Sequence, residues 1–203
     1  MNKKLKIKII VGIGFICFFA LLMVFLLYGK NFAVLKSFFE ENKELFKKWA
    51  DYLVEFGYDP GNQLCTDDFA GHLGHNCNLS VKAIVALGAY AKLSEDESYM
   101  KIAKEMATRW EKEAKNKNGT KLVFDNEEGW SLKYNMVWDK IFRFGLFDDV
   151  CKIETDFYIT KLMKYGIPLD SRGSVAKNDW IMWAAAMCET DEKRDKIIES
   201  VWN

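Results

Sequence analysis

From residue 79 onward the chain repeats itself, and that repeat restricts the fold more than any other feature. A strongly apolar stretch with helical spacing (79–93, carrying Val81, Ile84, Val85, Leu87 and Tyr90) runs into a short polar link at 94–97. A more charged stretch follows at 98–115, with Ile102, Met106 and Trp110 on one face, and then a long loop, 116–130. The cycle recurs as apolar helix 131–144, link 145–148, mixed helix 149–165 and loop 166–177. It opens a third time with 178–188, a link at 189–191 and a partner helix from 192. The three apolar stretches start 52 and then 47 residues apart, a period that marks stacked helical hairpins. Only two prolines occur, Pro60 and Pro168, and both fall where the helical pattern is interrupted. The class expected is all-α.

Two segments precede the repeat. Residues 37–57 carry Phe38, Leu45, Phe46, Trp49, Leu53 and Phe56 at three- and four-residue steps, which predicts an amphipathic helix stopped by Gly57. Ahead of it, Lys3, Lys4, Lys6 and Lys8 introduce an uncharged run, 9–28. Twenty residues of helix span about 30 Å, the thickness of a bilayer's hydrocarbon core. The run is longer than a signal-peptide core and lacks a small-residue cleavage site. The expectation is an uncleaved transmembrane anchor over 1–30, with the lysines inside and the domain from 31 to 203 on the extracytoplasmic side. Cleavage and secretion is the alternative.

Charge excludes one partner class. The 29 basic and 29 acidic residues cancel, and no basic stripe lies outside the N-terminus, so no nucleic-acid partner is expected. The five cysteines show neither a CxxC pair nor metal-ligand spacing. Buried free thiols are one reading; a Cys65–Cys77 bridge across a loop is the other. No cofactor is expected.

The repeat also says where chemistry belongs. In antiparallel hairpins the short links collect at one end and the long loops at the other, and loops of about 12 or more residues without structure of their own are commonly functional. Each long loop feeds the N-terminus of an apolar helix, where free N–H groups favour anions. The first, 58–78, holds both histidines of the chain, His72 and His75, beside Asp67 and Asp68. Three readings stand: acid–base work by Asp67, Asp68 and His72; a metal held by the histidines and an aspartate; and helix capping. On the second loop and its helix, Asp139 lies in an apolar stretch, so it is either paired or turned to a cavity. Trp130 and Tyr134, four apart, suit one aromatic wall. On the third, Arg172 suits bidentate capture of a carboxylate, with Asp170 and Asp179 beside it.

The same loops resemble a known family. The runs NQLCTDDFAGHLGHN (Asn62 to Asn76), YNMVWDK (Tyr134 to Lys140), GIPLDSR (Gly166 to Arg172) and KNDWI (Lys177 to Ile181) are similar to the six-hairpin domain of the glutaminase A family of secreted microbial glutaminases. The resemblance, from about residue 45 to the C-terminus, implies an (α/α) toroid and hydrolysis of the side-chain amide of L-glutamine, a small-molecule substrate. It fixes no catalytic residue, so the roles rest on the loops: Asp67, Asp68, His72 and Asp139 for catalysis, and His75, Asn76, Asp170, Arg172, Asp179 and Trp180 for substrate binding, with no metal. Family members carry a β-rich region before this domain, where this chain has its apolar run. About three hairpins are present, so the expectation is an incomplete toroid, truncated or completed by another chain. A glycoside hydrolase of the same toroid class and an inactive membrane-tethered binding remnant are the other readings.

Overall fold

A computed structural model describes residues 32–61, 73–117 and 119–202. The expected anchor and the boundary at 30/31 lie outside those residues. Among the described residues no helix is long and apolar enough to cross a membrane.

The chain divides into two units, Met1–Tyr52 and Leu53–Asn203. The helix predicted over 37–57 appears as α1 (Phe32–Glu41) and α2 (Lys43–Phe56). The join is tight: Asn42 Nδ2 donates to the Phe38 carbonyl, and the Asn42 carbonyl accepts from Leu45 and Phe46. Within the first unit Phe46 packs against Phe39 and edge-on to Trp49, with centroids 5.4 and 5.3 Å apart.

The second unit contains the hairpins. α3 (Cys77–Ser94) is apolar all round and almost wholly buried, as an inner helix must be. It ends where Glu95 turns left-handed (φ 57°), and Asp96 then caps α4 (Glu97–Glu113) by accepting from the Ser98 N–H. The second hairpin pairs a 3-10 turn (Tyr134–Met136) and α5 (Val137–Phe142) with α6 (Asp148–Ile159). The third pairs α7 (Asn178–Ala186) with α8 (Asp191–Trp202). α3 and α7 both pack on the 3-10 turn and α5, so the apolar members adjoin one another, while α6 packs on α8. This layering, with no strand among the described residues and only isolated bridges, bears out the all-α class.

The helix expected over 131–144 is much shorter. Residues 131–133 are not helical: Ser131 bridges Asp170, the Leu132 N–H donates to the Leu169 carbonyl (2.8 Å) and the Lys133 N–H to the Tyr158 hydroxyl (2.6 Å). Those partners replace the helical ones. Without a helical turn between them, Trp130 and Tyr134 do not share a wall. Trp130 meets Phe157 edge-on at 5.4 Å, and Tyr134 stacks on Trp180 at 4.5 Å.

Candidate functional site

Long loops bring backbone N–H and C=O groups into contact with the core, and those groups need partners. Here they find one another. At the end of the first loop the His75 carbonyl accepts from the Phe124 N–H (3.0 Å), and the Cys77 N–H donates to the Leu122 carbonyl (3.0 Å). The second loop folds across itself, Leu122 N–H to the Gly129 carbonyl at 3.1 Å. It then pairs with the third: Leu132 with Leu169, and the Ser171 N–H with the Trp130 carbonyl at 2.9 Å. The Trp130 N–H reaches Ser171 Oγ at 3.2 Å. One continuous line of backbone hydrogen bonds therefore ties the described parts of all three long loops into a single rim.

The candidates divide on this rim. Asn76 is 1% exposed and caps α3, its Oδ1 accepting from the Leu79 N–H at 3.0 Å. His75 is left-handed (φ 58°); its Nδ1 sits 2.8 Å from Asp59 Oδ1, and that hydrogen bond holds its pKa above the ordinary histidine range. Asp170, buried, is bridged to Ser131 and grips Arg172 from three donors: the backbone N–H at 2.8 Å, Nε at 3.0 Å and Nη2 at 2.7 Å. The guanidinium edge that the sequence reading reserves for a substrate carboxylate is thus held by Asp170. Asp179 is exposed in the first turn of α7, while Trp180 is buried against Tyr134. Asp67, Asp68 and His72 lie outside the described residues. So does one half of the metal reading; among the described residues no three His, Cys, Asp or Glu side chains gather to hold an ion.

Asp139 belongs to the other end. It is 1% exposed, and its carboxylate accepts from the Leu146 N–H (3.1 and 3.0 Å) and the Phe147 N–H (2.8 Å), closing the short link before α6. Burial raises its pKa, opposed by those same N–H groups. The ligand that satisfies this buried charge is the link's own backbone.

Several buried polar groups at the rim were not picked out from sequence. Lys133, fully buried, donates Nζ to the Ser131 carbonyl and to Ser131 Oγ, each at 3.0 Å. The Tyr158 hydroxyl, which accepts from the Lys133 N–H, donates to Glu154 Oε2 at 2.7 Å. Burial holds the Glu154 pKa up, and the nearby Lys133 charge opposes it. An ammonium buried this fully is tolerable only with such donors' targets and an opposing charge close by. Asn78 and Asn135 form a second pair. The available signal was a lysine inside an apolar run (Leu132, Tyr134, Met136). Cys77 and Cys151 are buried free thiols whose pKa is pushed up to about 12 by burial, which leaves them inert as nucleophiles.

A family model described as the glutaminase A six helical-hairpin domain matches residues 20–203. A probable glutaminase of Arthroderma benhamiae is 32% identical over 81% of this chain and 23% of its own length. Glutaminase A of Aspergillus oryzae is 33% identical over 74% of this chain and 24% of its own. The chain therefore spans about a quarter of the length of these curated relatives. No solved structure matches.

Proposed function

We propose, on the premise that this chain belongs to the glutaminase A six-hairpin family, that its long-loop rim serves hydrolysis of the side-chain amide of L-glutamine to glutamate and ammonia. The observation that carries this reading is the lacing of the three long loops into one rim, since an amide site needs groups from several loops held in register. The amide chemistry is that of the glutaminases it resembles.

We assign acid–base work to residues of the 62–72 segment, which lies outside the described residues: Asp68 as the group that activates water, with Asp67, and His72 as proton shuttle. His75 and Asn76 anchor the segment's exit. Arg172, oriented by Asp170, supplies positive charge for the substrate carboxylate, with Asp179 and Trp180 at the neighbouring helix start. Asp139 is given no chemical step. The lysine-led apolar run 9–28 is proposed to anchor the protein in a membrane with the rim on the extracytoplasmic face.

The test is release of ammonia from L-glutamine by the purified chain. Asp68→Asn and Arg172→Ala should each lower it at least about a hundredfold, the scale of an acid–base group. Near-normal rates in both variants would leave these loops structural.

A further inference from the structure

Two buried asparagines face each other beside the point where the loops meet. Asn78 lies in the first turn of α3, and Asn135 in the 3-10 turn that follows the non-helical 131–133 segment. They are 1% and 4% exposed. Asn78 Oδ1 accepts from the Asn135 N–H at 3.3 Å, and Asn135 Nδ2 donates to the Asn78 carbonyl at 3.2 Å.

Each side-chain amide is thereby half used. The donor Asn78 Nδ2 and the acceptor Asn135 Oδ1 hydrogen-bond no described residue. A native fold rarely leaves a donor and an acceptor of one buried pair idle without a use for them.

We propose that Asn78 and Asn135 form an amide-reading subsite, in which Asn78 Nδ2 donates to the carbonyl oxygen of a carboxamide substrate and Asn135 Oδ1 accepts from its NH2 group. The inference rests on the amidohydrolase reading and deepens it. A carboxamide carries one acceptor and one donor group on a planar carbon, matching the idle pair atom for atom. A carboxylate carries acceptors only and would set an oxygen against Asn135 Oδ1. Hydrolysis (amide plus water giving carboxylate plus ammonium) converts the matched group into the mismatched one. The same pair then selects the amide and expels the acid. A site that hydrogen-bonds a substrate group discriminates well because a wrong ligand leaves its polar atoms unpaired.

The experiment is NMR of the 15N-labelled full chain, following the Asn78 side-chain NH2 signal during titration with L-glutamine and with L-glutamate. The expected result is a shift with glutamine and none with glutamate, and at least about tenfold tighter binding of glutamine, the scale of one hydrogen bond. Asn78→Asp tests the same point: it keeps Oδ1 for the Asn135 N–H and replaces the donor with an acceptor. It should erase the preference while the unfolding midpoint stays close to wild type. Should that variant unfold, the wild-type titration decides alone. Glutamine binding that leaves the Asn78 signal unmoved overturns the subsite and spares the amidohydrolase reading. No binding of glutamine or propionamide, with no ammonia released, overturns both.

Discussion

A carboxylate pointed at backbone N–H groups gives no sign of it in the sequence, and Asp139 shows the consequence. From the sequence it is a charge inside an apolar stretch, which suits a catalytic group turned to a cavity. Its actual partners are the amides of Leu146 and Phe147, seven and eight positions on, and an amide is the same whatever residue bears it. Asp139→Ala should therefore cost about 2–4 kcal/mol of unfolding free energy, because charge-assisted hydrogen bonds are lost and buried N–H groups are left unpaired. Chemical denaturation measures it. The pH dependence has a definite sign. The folded-state pKa is raised, so the stability Asp139 contributes relative to Asp139→Asn is largest below the ordinary carboxylate range, about 4. It declines as pH rises through the raised value. His75 has the opposite chemistry and the same direction. Its pKa is raised by Asp59, so the contribution of that pair is present below the ordinary histidine value and lost as pH rises through the folded one. Asp59→Asn should return the His75 midpoint toward about 6.5 in an NMR titration; an unmoved midpoint would show that the 2.8 Å contact does not persist in solution.

At the scale of elements, legibility followed periodicity. α3, α4, α7 and α8 lie within two or three residues of their expected bounds, because an apolar stripe at 3.6-residue spacing is written directly in the chain. The stretch 131–144 departs from its periodicity for the same reason: apolar residues in a fully buried irregular segment and in a helix look alike over a few positions. What keeps 131–132 out of the helix is a partner at 169–170, some forty residues away. The third loop also turns on a detail that a sequence shows only as a glycine. Gly166 has φ +116°, and a Cβ there would lie 2.7 Å from Ile181 Cδ1, at a residue of α7 that is fully buried. Gly166→Ala combines backbone strain with overpacking and should lower stability by about 2–4 kcal/mol. Gly173→Ala, in the same loop with open space around its Cβ position, is the control and should change stability by less than about 0.5 kcal/mol.

Across the whole of the second unit, the alternation of short and long links was enough to foresee a single rim, but not what makes it one. The sequence argument was geometric: antiparallel hairpins put their long loops at one end. The rim is in fact built by pairing, with His75 and Cys77 bonded to the second loop and Trp130 and Leu132 bonded to the third. This difference can be measured. Loops that merely share an end would open independently, and their amides would exchange with solvent at rates set by local fraying. A laced rim opens as a unit, because breaking the Leu132–Leu169 bond releases the segment that also carries the Lys133 N–H bond to Tyr158. Native-state hydrogen exchange should therefore place the amides of Cys77, Leu122, Phe124, Leu132, Lys133 and Ser171 in one group with a common opening free energy. That energy should lie near the value for the interior of α3 and well above the value for exposed Lys117 in the second loop. Substituting the side-chain latch, Ser171→Ala, removes the Trp130 N–H bond to Ser171 Oγ and should lower the opening energy of the Leu132 and Ser171 amides together by about 1 kcal/mol. If Ser171 instead exchanged quickly while Leu132 stayed protected, the second and third loops would be separate pieces, and a site shared between them would lose its frame.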